Sequence, residues 1–118
     1  MYICTMQKNH SLIKGSLNTI LLKLLRENGR MYGYEITKMV KELSEGCMQL
    51  TEGALYPALH KLEADGFVET TLEEVGNRKR KYYSITANGK KEAGRKVKEL
   101  TAFVAQMENI LKLKLAYQ

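Results

Sequence analysis

Four consecutive cations, Arg78-Lys79-Arg80-Lys81, follow the dipeptide Gly76-Asn77 and stand between two runs of strand-forming residues. Ammonium and guanidinium groups bunched at a turn can pair with phosphates, or can serve as a solvated tip whose charges keep an edge strand from aggregating; their clustering at the turn favours the first. Upstream, the stretch Thr51-Glu52-Gly53-Ala54-Leu55-Tyr56-Pro57-Ala58-Leu59-His60-Lys61 offers a different set of contacts. Thr51 and Tyr56 carry hydroxyls for phosphates or base edges, and Lys61 carries a charge. Gly53 has no side chain to hold the backbone away from a partner surface. His60 can hydrogen-bond a base or a phosphate, or stand simply solvated. Tyr34 and Lys38, on the element before, are candidate phosphate contacts, with packing as the other role open to Tyr34.

No constellation for catalysis can be made out. Cys4 and Cys47 are far apart, as are His10 and His60, and none has a neighbour at metal-ligand spacing. A disulfide framework, a metal site, a cofactor and enzymatic activity are therefore not expected. The formal net charge of +6 favours a polyanion as partner. There is no apolar run of membrane-spanning length and no apolar core of a signal peptide, so a cytoplasmic chain without membrane contact is expected.

Periodicity supplies the elements that must position these groups. Ser11 can cap a helix with an apolar stripe of Leu17, Ile20, Leu21, Leu24 and Leu25, ended by Asn28-Gly29. Met31 to Tyr34 reads as a connection, and a second helix over about 34–43 carries Ile36, Met39, Val40 and Leu43. In the third, Thr51 caps the start and Gly66 suits the position past the end. There Leu55, Leu59 and Leu62 share one face, opposite Gly53, Pro57, His60, Lys61 and Ala64. Pro57 predicts a bend, or a helix starting later than Thr51. Two helices joined by a short turn fit a helix-turn-helix or a plain helical hairpin equally well.

The following segment favours the former. Val68, Thr70 and Leu72 alternate with Glu69 and Thr71, and a second run, Lys81 to Thr86, is again aromatic and β-branched. Gly76-Asn77 between them is a hairpin turn. A basic-tipped hairpin behind a helix-turn-helix is a wing. Thr86 then caps a last helix in which Ala93, Val97, Leu100, Val104, Met107 and Leu111 form a heptad seam, widened by Phe103, Ile110 and Leu113. A domain this small cannot bury all of it, so a two-fold dimer through this helix is expected rather than a fold-back onto the same chain.

In order and wording, the chain resembles the PadR-like family of bacterial transcriptional regulators, in particular its short members with one carboxyl-terminal helix. The likeness rests on Tyr32-Gly33-Tyr34-Glu35-Ile36, on Leu50 to Leu59, on Leu62-Glu63-Ala64-Asp65-Gly66-Phe67-Val68, and on Arg78 to Gly89. It implies a winged helix-turn-helix dimer that binds operator DNA, with the third helix in the major groove and the wing on the adjacent backbone or minor groove. It implies the same roles here for residues 51–61, for Asn77 to Lys81, and for the terminal helix. Arg30, where many members place proline or a small residue, departs from the pattern at what reads as a turn.

The expected fold is thus mainly α with a small β-hairpin: an arm over 1–10, a winged helix-turn-helix over 11–86, and a dimerisation helix over 87–118. The expected function is a DNA-binding regulator, a dimeric repressor released by a small-molecule inducer, for which Leu100, Phe103 and Met107 line a candidate pocket. The competing reading is a winged-helix protein-interaction module without DNA binding.

Overall fold

The structure, a computed structural model, describes residues 10–112, with side chains from residue 14 onward. The expectations for the arm, Cys4 and Leu113 lie outside that range. Helix α1 (His10–Asn28) already contains Ser11, so the expected cap lies within the helix. Leu17, Leu21, Leu24 and Leu25 are buried as the stripe predicts, and Leu22, which falls outside it, is fully buried too. The reason is that α1 is a central helix, packed against the third and fourth helices and the sheet. A helix covered on several sides does not show one clean apolar face.

Met31–Tyr32 is not a plain connection but a short strand, β1, antiparallel to the second hairpin strand. Two residues are too few to show a period, so their pairing is invisible in the sequence. Helix α2 (Gly33–Leu43) starts directly after it, where the Tyr32 N–H donates to Glu35 Oε1 at 3.1 Å. Ile36 and Val40 face the core, while Leu43 is left exposed. The turn that follows is closed by the Gly46 N–H on the Lys41 carbonyl at 2.7 Å. Within it Cys47 is disulfide-bonded, against the expectation of an unpaired thiol.

Helix α3 (Glu52–Ala64) begins where expected: Thr51 Oγ1 accepts from the Ala54 N–H at 3.2 Å, which removes the alternative of a later start. Pro57 sits inside this helix, so the Gly53 carbonyl receives no N–H from that position. The end is a Schellman motif. Phe67 N–H reaches the Leu62 carbonyl, Gly66 N–H reaches that of Glu63, and Gly66 takes φ +83°.

Strands β2 (Val68–Val75) and β3 (Arg78–Ile85) form the hairpin, and the sheet order is β1-β3-β2, all antiparallel. Val75 pairs with Arg78, which leaves Gly76 and Asn77 as a two-residue loop with Gly76 at φ +65°. Both strands are longer than the propensity runs, and β3 begins inside the cationic stretch. Buried Val68 and Tyr83 close the core from the sheet side.

Helix α4 (Ala87–Leu111) is 25 residues long, about 37 Å at the usual rise. Its start is bolted to the end of α3. Thr86 Oγ1 accepts the Gly89 N–H at 3.0 Å and donates to the Gly66 carbonyl at 2.7 Å, while the Thr86 N–H reaches the Phe67 carbonyl at 3.0 Å. Gly89 is buried there because an added Cβ would stand 2.1 Å from the Phe67 carbonyl oxygen. Ala93 is fully buried in the chain's own core, which includes α1, so it is not available to the expected dimer seam.

Candidate nucleic-acid interface

Burying Leu55, Leu59 and Leu62 turns the opposite side of α3 outward, so Gly53, Pro57, His60, Lys61 and Ala64 are all exposed. A Cβ on Gly53 would meet nothing nearer than Thr51 Oγ1 at 3.8 Å. This side is therefore low and open. Lys61 is extended over the surface with Nζ 3.4 Å from Asp65 Oδ2. Tyr56 is placed differently from its neighbours. Its ring is half-buried toward the wing, and its hydroxyl lies so close to Gly33 that a Cβ there would be 2.1 Å from it.

Helix α2 flanks this surface. Tyr34, 64% exposed, and Lys38 and Lys41, both exposed, stand at i, i+4 and i+7 along one line. They border a shallow groove of about 690 Å³ that ends at Gln49 and Leu50, just before the α3 cap. A second cleft of about 610 Å³ separates α3 from α1 and is edged by Lys14, Asn18, Gln49 and Lys61, with no carboxylate in its lining. Lys41 was not among the residues expected here. The same i, i+4, i+7 test that finds apolar stripes, applied to cations, would have found it.

The wing divides its cations. Because side chains alternate along a strand, Lys79 and Lys81 share the face of buried Tyr83, while Arg78 and Arg80 share the face of Tyr82. Lys79, Lys81, Tyr83 and Tyr56 line a hollow of about 320 Å³ beside α3, which Arg78, Arg80 and Tyr32 also border, so all four cations reach it. Lys81 Nζ lies 5.6 Å from the centre of the Tyr83 ring. On the second face Arg80 lies over Tyr32 and Arg30 over Tyr82, each guanidinium carbon 4.1 Å from the ring centre. The two rings meet edge to face at 5.5 Å, and Tyr34 stacks on Tyr32 at 6.4 Å. Arg30 also pairs with Glu73, which holds that carboxyl below its ordinary range. Arg30 is thus part of the wing and not a bystander in a turn, which corrects the reading of that departure. Only the antiparallel pairing of β1 with β3 brings the two segments together.

The ionisable groups follow from these surroundings. The Arg30 guanidinium is raised chiefly by Glu73, and that of Arg80 chiefly by the Tyr82 phenol. Burial pushes the Tyr83 phenol up, with Tyr56 and Glu63 adding to it.

Beyond the core, α4 shows an apolar outer half. Phe103 is 55% exposed, Val104 39%, Ile110 70% and Leu111 54%, while Val97, Leu100 and Met107 are half-buried. No helix among the described residues is long and apolar enough to cross a membrane.

The arrangement matches known proteins in both sequence and shape. The family model for the "Transcriptional regulator PadR-like family" matches residues 21–95, from α1 through the wing into α4. The chain belongs to the PadR-like family of transcriptional regulators. It is 37% identical over 89 residues to an uncharacterized protein of Lysinibacillus sphaericus, covering 75% of this chain and 81% of that one. A solved transcriptional regulator from Clostridium thermocellum superposes with a TM-score of 0.74 at 31% identity, over 86% of this chain and 95% of that one. A PadR family regulator from Clostridium difficile does so at 0.69 and 30%, over 84% and 100%. This PadR-like chain is accordingly a winged helix-turn-helix with an appended carboxyl-terminal helix, the fold class expected from its sequence.

Proposed function

We propose that this PadR-like protein is a dimeric repressor that binds operator DNA, laying α3 in the major groove with the wing on the neighbouring backbone or minor groove. The observation that carries the reading is the exposed low face of α3, where Gly53, Pro57 and Lys61 edge a cleft with Lys14 and no carboxylate. The Tyr34–Lys38–Lys41 line on α2 and the four cations of the wing add positive charge on the neighbouring elements. Helix α3 approaches base edges, with Thr51, Gly53, His60 and Lys61 nearest, while Lys38, Arg78 and Lys79 meet phosphates. Asn77 at the loop, and Arg80 and Lys81 behind it, extend the wing contact; Tyr56 acts mainly by seating α3 against Gly33.

Val97, Leu100, Phe103, Val104, Met107, Ile110 and Leu111 pack against the same helix of a second copy, which sets two recognition helices side by side. A small-molecule inducer enters between the copies at Leu100, Phe103 and Met107 and weakens DNA binding by altering the dimer. The protein acts in the cytoplasm and not as an enzyme.

The test is a gel shift with the duplex upstream of the protein's own gene, at low and at moderate salt. A discrete complex that outlasts that of an unrelated duplex as salt rises is expected. Absence of any complex at low salt, with any duplex, would rule the reading out.

A further inference from the structure

Sequence-specific binding needs side chains whose donors and acceptors are free to meet base edges. On α3 few side chains offer a free donor and a free acceptor together. Thr51 Oγ1 accepts the capping bond from Ala54 and keeps its O–H to donate, Tyr56 points its hydroxyl at Gly33, and Lys61, beside Asp65, can only donate. Glu52 offers acceptors only, on a carboxylate that the phosphate backbone repels. Gly53, Pro57 and Ala64 have no polar side chain. Along α3 and its lead-in, His60 and Gln49 are left with both a donor and an acceptor. Among the described residues neither side chain has a hydrogen-bond partner.

Gln49 is also the better placed. It is exposed, stands two residues before the α3 cap, and lines both the groove along α2 and the cleft beside α1. It therefore tops the ridge between two hollows, at the amino end of α3, the end that reads bases in helix-turn-helix docking. Cations stand on both sides: Lys14 and Lys61 along the carboxylate-free cleft, which suits a phosphate strand, and Lys38 and Lys41 along the other hollow, whose far end carries Glu42 and Glu45.

Resting on the DNA-binding reading above, we infer that Gln49 is a specificity-determining residue that reads an adenine through N6 and N7. A glutamine amide matches that donor–acceptor pair in the major groove. His60, nine residues past the cap, lies about 13 Å from it along the helix axis, at the far end of α3 from Gln49.

The experiment selects binding sites from a randomised duplex pool with the full-length protein, Gln49→Ala and Gln49→Glu, followed by competition titrations on the winning sites. The wild type should enrich a two-fold symmetric consensus containing adenine at one position of each half-site. Gln49→Ala should lose discrimination there by about ten-fold or more while keeping the other positions, the salt slope and the melting temperature. Gln49→Glu should move the preference toward cytosine, whose N4 donates. An unchanged consensus and discrimination in Gln49→Ala would overturn the inference alone. So would a uniform loss over all duplexes, which marks a phosphate contact. No consensus from the wild type would overturn the inference together with the DNA-binding reading.

Discussion

Two glycines of α4 should respond to the same substitution with opposite signs. In Gly89→Ala the new Cβ would stand 2.1 Å from the Phe67 carbonyl oxygen and 2.6 Å from Ile85 Cγ1. An unstrained carbon–oxygen contact is about 3.3 Å or more, so the helix and the strand base must part by roughly 1 Å. The oxygen is backbone, and it already accepts the Thr86 N–H, so no rotamer change can make room. Overpacking costs about 1–3 kcal/mol, and an obstructing backbone puts this site at the upper end. Alanine returns about 1 kcal/mol through its better helix propensity. The net expectation is a loss of about 2 kcal/mol. In Gly94→Ala the nearest atom is Arg26 Nη1 at 3.5 Å, an ordinary contact. Only the propensity gain remains there, a stabilisation of about 0.5–1 kcal/mol. Urea unfolding at one fixed protein concentration measures both. A Gly89→Ala protein within about 0.5 kcal/mol of wild type would refute the reasoning, because it would mean that α4 does not press on the Phe67 carbonyl. The same junction sets the direction in which α4 leaves α3, so Gly89→Ala should also weaken operator binding more than non-operator binding.

Neutralising Arg78 and Lys79 to glutamine should lower operator and non-operator affinity alike. It should flatten the logarithmic salt dependence by about 0.9 for each phosphate no longer neutralised, and an unchanged slope would remove these residues from the interface. The Tyr83 phenol is raised above its ordinary value of 10 by burial, so the folded chain holds this proton more tightly than the unfolded one. Its contribution is fully present below pH 10 and is lost as pH rises through the folded value; chemical unfolding at stepped alkaline pH should show that decline, and Tyr83→Phe should reduce it. Phe103→Glu combined with Ile110→Glu should leave melting of the protomer's core intact but give a single-protomer mass in sedimentation, whereas a dimer that persists would move the interface elsewhere.

Much of this chain is legible without its fold. The apolar stripe of α3, its Thr51 cap and the Gly66 stop are local patterns, and each reappears at the expected residue. The hairpin turn at Gly76-Asn77 is equally local. Leu22 and Ala93 are harder to place, because their burial comes from neighbours distant in sequence: α1 is covered on several sides, and α4 lies against it. The candidate interface divides in the same way. The types of its residues are readable, but the groups they engage are not. Tyr56 turns from an outward hydroxyl into a wedge under Gly33, and Arg30 turns from a turn residue into a wing residue.

Spacing within one turn or one strand is enough to set the order of elements, the capped third helix, the basic hairpin and membership of a family. Which way the groups point is a matter of tertiary packing. Alternation divides Lys79 and Lys81 from Arg78 and Arg80, but packing decides that the Tyr83 face is the buried one and brings Arg30 and Tyr32 of the β1 segment to the other, through a long-range register against β1. Packing also closes the Thr86–Phe67–Gly89 junction that ties α3 to α4. A contact between residues about twenty apart depends on the packing of both elements that carry them, and no local period records it.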